Sequence, residues 1–173
     1  YHLILLAENN EGYENLTKIV SRGFVDGFYY KPRVDFETLR EFSKGIIASS
    51  ACLAGEVARN LAVNRYEDAR EAALRYRDIF GEGNFFLELQ DHGLSIQKAV
   101  NQQLIRLSRE TGIPLIATND IHYTNPEDWE AHDLLLCLQT GKKASDADRM
   151  RYEGGQYYLK SEEEMRALFA AVP

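Results

Sequence analysis

Residues 85–123 read FFLELQDHGLSIQKAVNQQLIRLSRETGIPLIATNDIHY, and this stretch decides the fold. Its first five residues form a short run rich in Phe and Leu, which reads as a strand. A polar loop follows over 90–94. Residues 95–111 then read as a helix, closed by Gly112 and Pro114. Residues 115–117 read as a second strand. Strand, helix, strand is the α/β signature, and in such folds ligands sit beyond the carboxyl ends of the strands. Residues 90–93 and 118–123 are therefore the first places to search for chemistry.

The same alternation extends in both directions. Upstream, 1–7 and 45–49 read as strands, and 11–25, 56–63 and 66–80 as helices. In 11–25 the apolar positions Tyr13, Leu16, Ile19, Val20 and Phe24 fall at helical spacing. Asp35 is placed to cap a short helix that runs through Phe42. Residues 28–34 form a loop rich in Tyr and basic side chains, and 52–55 a turn. In 66–80 the stripe is Tyr66, Ala69, Ala73, Tyr76 and Phe80. Downstream, 126–139 reads as a helix that starts at its proline, and 140–156 as loop. Ser161 with Glu164 fits a capping box for a last short helix.

The chain has 173 residues, 45% apolar and 27% charged, with a net charge of −7. At ~150 residues per domain this is one domain, or a large piece of one. Binding duplex DNA non-specifically needs a surplus of Lys and Arg, so the segment alone is a poor candidate for that role. Apolar runs such as 3–7 and 134–138 fall far short of the ~20 residues of a membrane span. No signal-peptide pattern opens the chain. Cys52 and Cys137 are expected to be reduced thiols in a cytoplasmic protein. The chain starts in a strand-like run without Met, which suggests a piece of a longer polypeptide.

Three strand ends carry metal-donor side chains. Ser50-Ala51-Cys52 follows 45–49, Gln90-Asp91-His92-Gly93 follows 85–89, and Thr118-Asn119-Asp120-Ile121-His122-Tyr123 follows 115–117. Thiolate, imidazole and carboxylate are the usual donors for zinc-like cations. Asp120 and His122 are two residues apart, so on extended backbone both side chains point one way. Each residue also has a plainer reading: Cys52 as a small buried residue, Asp120 as a helix cap, His122 as a surface histidine. His92, before Gly93, reads as a turn residue or a contributor to the site. His132 lies beside Trp129, Leu135 and Leu136 and reads as packing, or as a hydrogen-bonding support for a ligand. Lys142, Lys143, Arg149 and Arg151 read as solvated surface rather than a phosphate clamp.

The runs Ser50-Ala51-Cys52-Leu53-Ala54-Gly55-Glu56, Leu87-Glu88-Leu89-Gln90-Asp91-His92-Gly93, Ala117-Thr118-Asn119-Asp120-Ile121-His122-Tyr123 and Leu134-Leu135-Leu136-Cys137-Leu138-Gln139-Thr140-Gly141 carry a family likeness. Together with the opening Tyr1-His2-Leu3 and with Gly155-Gln156-Tyr157-Tyr158-Leu159-Lys160-Ser161, they resemble the PHP (polymerase and histidinol phosphatase) domain of bacterial DNA polymerase III alpha subunits. The likeness runs nearly end to end. It implies the C-terminal two-thirds of a distorted (β/α)7 barrel, about four strands with flanking helices, filling 1–173. The family's opening His-x-His motif and first strands have no counterpart here, and neither do the polymerase domains.

Carried over position by position, the resemblance makes His2, Cys52, Asp120 and His122 metal ligands. Asp120 and His122 are also its catalytic candidates, and His92 and His132 stand as supports behind them. It implies a divalent metal, zinc first and manganese or magnesium next, with incomplete occupancy in this fragment. It implies a part in DNA replication within a DNA-directed DNA polymerase (a nucleotidyltransferase). The complete domain would act as a phosphoesterase or 3′–5′ exonuclease, and the fragment alone is expected to be inactive. The partners it implies are DNA, through the parent polymerase, and other replicase subunits such as the sliding clamp and the proofreading exonuclease. The alternatives are a non-catalytic structural and docking domain and an unrelated metal hydrolase on an α/β barrel, which would leave the motif order unexplained. The site also sets a topological requirement. His2 begins its strand whereas Cys52, Asp120 and His122 follow theirs, so 1–7 must run antiparallel for His2 to join them.

Overall fold

The structure is a computed structural model, and it describes residues 1–152 and 154–172. Glu153, inside the loop expected over 140–156, and Pro173 lie outside the described residues. The elements in chain order are β1 Ile4–Ala7, α1 Asn10–Val25, α2 Phe36–Glu41, β2 Ile46–Ser49, α3 Glu56–Ala62, α4 Tyr66–Phe80, β3 Phe85–Leu89, α5 Ser95–Thr111, β4 Leu115–Ala117, a 3-10 turn Pro126–Asp128, α6 Trp129–Thr140 and α7 Glu162–Leu168. The fold is α/β, a four-stranded sheet of order β1-β2-β3-β4 with flanking helices. Among the described residues, no helix is long and apolar enough to cross a membrane.

β1 pairs antiparallel with β2, Ile4 opposite Ser49 and Ala7 opposite Ile46, as the position of His2 requires. β2 and β3 are parallel, with Ala48 opposite Phe85. Along β3 and β4 the Leu87 N–H bonds the Pro114 carbonyl and the Thr118 N–H bonds the Leu89 carbonyl. Partner numbers rise together, which is the parallel pattern. Side chains also tie β2 to β3: the Ser49 hydroxyl donates to the Glu88 carboxylate, and Ser50 Oγ accepts the Glu88 N–H at 2.9 Å.

The chain divides into two compact units, Tyr1–Glu88 with Gln102–Ile116, and Leu89–Asn101 with Ala117–Pro173. In the first, Ile46, Ala48, Phe85 and Leu87 of the sheet are buried. Buried with them are Val57 and Leu61 of α3, Ala69, Ala73, Tyr76 and Phe80 of α4, and Leu104 and Leu107 of α5. The α4 stripe read from the sequence is thus the buried face, apart from Tyr66. That residue is half-buried and donates its hydroxyl to Glu110 at 2.8 Å. Burial and this carboxylate push the Tyr66 phenol up to about 12.

α1 is the helix expected over 11–25, and of its apolar positions named above only Ile19 is fully buried. Its buried positions are Gly12, Asn15, Ile19 and Gly23, while Tyr13, Val20 and Phe24 are exposed. The cause is close approach: a Cβ on Gly12 would stand 1.8 Å from the Gly45 carbonyl oxygen. The helix packs through its small residues together with Ile19, so apolar periodicity alone does not mark its buried face. The caps expected at Asp35 and Ser161 are present, each accepting a backbone N–H three residues on.

In the second unit, Leu89, Val100, Leu136, Cys137 and Tyr157 are buried, together with the polar His92, Gln97 and Asn119. The helix expected over 126–139 begins as the 3-10 turn and continues as α6. Leu134, Leu135 and Leu138 remain exposed on α6.

Candidate metal centre

The first unit brings His2 and Cys52 together. β2 ends at Ser49, and the chain turns through Ala51, at φ 59°, into Cys52. The Gly55 N–H closes that turn on the Cys52 carbonyl at 2.9 Å. Ahead of β1, the His2 N–H bonds the Ala54 carbonyl at 3.1 Å, and His2 forms a bridge to Gly55. This approach needs glycine: a Cβ at Gly55 would meet the Ser50 carbonyl oxygen at 2.0 Å and the His2 carbonyl oxygen at 3.3 Å. The result is His2 Nδ1 at 3.4 Å from Cys52 Sγ. Just beyond the turn, Glu56 opens α3. Its carboxylate accepts from Arg75 at 2.7 Å and from the Tyr76 hydroxyl at 2.9 Å, and with burial this drives the Tyr76 phenol upward.

The second unit brings Asp120 and His122 together, with Asp120 Oδ1 3.4 Å from His122 Nε2. The route is not the extended backbone expected. Asp120 sits at φ 44°, in the left-handed region, which Asp tolerates better than most residues. The local turn carries its carboxylate to the imidazole. The loop is pinned against 156–160. The His122 N–H bonds the Tyr157 carbonyl at 2.9 Å, and Tyr123 bridges Tyr158. The Asn119 amide donates to the Tyr158 carbonyl, and Lys160 Nζ donates to Asn119 Oδ1 at 3.2 Å. Burial lowers the Lys160 ammonium from its ordinary value.

His92 is not a turn residue on the surface; it is 2% exposed. Its Nε2 donates to the Asn119 carbonyl at 2.8 Å, and its Nδ1 accepts from the Gln97 amide at 2.8 Å. The Gln97 carbonyl oxygen in turn accepts the His92 N–H at 2.9 Å. A carbonyl only accepts, so the imidazole is the neutral Nε2–H tautomer, and both ring nitrogens are engaged. His92 holds the residue before Asp120 and has no lone pair for a cation. His132 packs among aromatic rings, 5.5 Å from His122, 5.1 Å from Tyr152 and 5.4 Å from Tyr123. Burial, then the neighbouring His122, lowers its pKa.

Sequence reasoning missed Gln97, Asn119, Tyr157 and Lys160, which hold this loop. It also misread Arg149. The Arg149 side chain is 4% exposed, and its guanidinium clamps both oxygens of Asp133 at 2.6 and 2.5 Å. Arg149 is therefore a structural cation, whereas Lys142, Lys143 and Arg151 are exposed.

Thiolate, imidazole and carboxylate match the donors that a zinc-like cation takes. Each pair supplies two donors, and among the described residues neither unit gathers three or more His, Cys, Asp and Glu side chains at one point. The donor chemistry fits a divalent metal, while the donor number within either unit does not complete a coordination shell.

Residues 1–92, more than half of the chain, match the PHP domain family. This stretch includes His2, Cys52 and His92 but not Asp120 or His122. Proteins named DNA polymerase III subunit alpha from Borreliella burgdorferi and Treponema pallidum are each 47% identical over all 173 residues. One of that name from Deinococcus radiodurans is 47% identical over 96% of the chain. The chain spans about 15% of the length of the first two relatives and about 12% of the third. With the domain match over more than half of its length, the chain belongs to the PHP domain family.

Proposed function

We propose that the chain is the metal-binding part of a bacterial replicative polymerase, within a DNA polymerase III alpha subunit acting in the cytoplasm. The observation that carries this reading is identity of 47% over the whole chain to proteins of that name. The two donor pairs, His2 with Cys52 and Asp120 with His122, support it chemically. All four are ligands in this reading, and the thiolate of Cys52 favours zinc over manganese or magnesium. The complete domain is a phosphoesterase that removes nucleotides from a DNA 3′ end. The parent subunit also binds DNA and other replicase subunits, the sliding clamp and the proofreading exonuclease among them.

Bound divalent cations supply an easily deprotonated water and neutralise phosphoryl charge. The chain's own residues do the rest. His2 presents Nδ1, and Cys52 the thiolate that a ligand must be. Asp120, turned back by its left-handed backbone, holds its carboxylate at His122 Nε2. His92, through Asn119, fixes where that turn begins. The test is made on the whole alpha subunit. Zinc content is measured by mass spectrometry, and 3′–5′ exonuclease rate is compared between wild type and Asp120→Asn. We expect bound metal, and a loss of at least about a hundredfold in hydrolysis with polymerisation retained. A metal-free subunit, or one whose hydrolysis ignores Asp120→Asn, overturns the reading.

A second reading, a non-catalytic docking domain, is favoured by the incomplete donor sets within each unit. It predicts metal without hydrolysis.

A further inference from the structure

We propose that the cavity bounded by Trp129 and Tyr152 binds a nucleotide, with its base against the two rings and its phosphate on Arg151. The cavity lies within the second unit, holds about 400 Å³, and is lined by Trp129, Asp133, Arg151, Tyr152, Gly154 and Gly155. That volume is in the range of small-molecule sites.

Three features select the ligand. The first is aromatic surface. Trp129 is 48% exposed at the start of α6, and Tyr152 forms a second ring wall. Every nucleobase has a π-face that stacks on such rings. The second is charge. Asp133 lines the cavity, but both its oxygens are taken by Arg149. Arg151 forms no hydrogen bond or ion pair among the described residues. Among the described lining residues, Arg151 is therefore the cation whose guanidinium donors are left for a ligand, suited to a phosphate. The third is space: Gly154 and Gly155 contribute no side chains to the lining. An uncharged sugar or aromatic has no use for Arg151, and a sugar phosphate offers the two rings no π-face. A base joined to a phosphate uses both.

The cavity also deepens the proposed phosphoester chemistry, and rests on that reading for its biological use. The Tyr152 ring stands 4.4 Å from the His122 ring, so the cavity wall is the immediate neighbour of the Asp120–His122 pair. The nucleotide is either free or the end of a single strand, and the test separates the two.

Trp129 is the sole tryptophan of the chain, so its fluorescence reports on this cavity alone. The full chain is titrated in chelator with dTMP, with the oligonucleotide dT4 and with deoxyribose 5-phosphate. We expect saturable quenching by the first two and none by the third. Tighter binding of dT4 assigns the site to a strand end, and equal binding to a free nucleotide. Tyr152→Ala and Arg151→Ala should each weaken binding about tenfold. Arg151→Glu, at an exposed position that folding does not depend on, should weaken it further. Absence of saturable quenching overturns the proposal. Equal quenching by deoxyribose 5-phosphate, or affinity unchanged in both Arg151 variants, does the same. Because chelator removes hydrolysis from the measurement, quenching in a chain whose parent subunit lacks exonuclease keeps the cavity and rejects the hydrolytic reading. Hydrolysis without quenching does the reverse.

Discussion

The imidazole of His92 lies flat on the phenol ring of Tyr157, with ring centroids 3.9 Å apart and planes 10° from parallel. Both residues are buried, and both nitrogens of the imidazole are hydrogen-bonded. One histidine thus joins the end of β3 to the loop after β4 and to the segment at 157. Burial raises the Tyr157 phenol, and the charge of Asp120 raises it further.

Truncating this histidine leaves the Gln97 amide and the Asn119 carbonyl without partners in the interior. His92→Ala should cost about 2–4 kcal/mol in urea unfolding. His92→Phe retains the stack but not the hydrogen bonds, and should recover less than half of that loss. A cost below about 1 kcal/mol for the alanine variant would refute the account of this network.

Acid should loosen the Asp133–Arg149 clamp. Hydrogen bonds from Arg149 hold the Asp133 carboxyl below its ordinary value of 3.8. As pH falls, the unfolded chain takes up this proton before the folded one does, so stability rises with pH across that window. The contribution is complete above about pH 5 and is lost as pH falls through the folded pKa. Asp133→Asn should remove this part of the acid dependence, so that urea midpoints of variant and wild type converge at low pH. Parallel curves for the two would show that the clamp does not titrate as described.

Gly55 should resist replacement. With Ser50 O at 2.0 Å from any added Cβ, Gly55→Ala should lower stability by about 1–3 kcal/mol, the usual cost of overpacking. It should also separate His2 from Cys52, which an NMR contact between the imidazole and the Cys52 β-protons would register. A variant of wild-type stability with that contact intact would mean the turn has slack that the structure does not show.

Metal should shield one thiol and not the other. Zinc added to the full chain is expected to slow alkylation of Cys52 several-fold, and His2→Ala to remove most of the shielding. Cys137, buried at 6% exposure in α6, is the internal reference. Equal rates at Cys52 with and without zinc would take that residue off the list of ligands.

Much of this was legible in the residues. β3, α5 and β4 followed from composition and breakers. The pairing of His2 with Cys52 required an antiparallel β1, and β1 is antiparallel. The Asp120–His122 pair was expected for a wrong geometrical reason: alternation along a strand was assumed, and a left-handed Asp120 produces the approach instead. α1 was legible as a helix, but its packing through Gly12 and Gly23 was not, because glycine contact leaves no apolar signature. Gln97, five residues from His92, lies inside a helix where nothing marks it as a partner, and Asn119, Tyr157 and Lys160 escaped notice because their partners lie up to 41 residues away in the chain. No local pattern encodes such a contact. The nearest signal was His92 itself, a histidine three residues after the end of β3.

The order β1-β2-β3-β4 has a consequence for self-recognition. An open sheet offers its unpaired main-chain groups only along its two outermost strands, and these are the places where a foreign strand can add. Among the described residues those strands are β1 and β4, of four and three residues. Each presents apolar side chains to solvent, Leu6 at 56% and Ile116 at 37% exposure. Composition alone would make them adhesive. Brevity counters it, since three or four residues offer an incoming strand too few ladder bonds to hold a register.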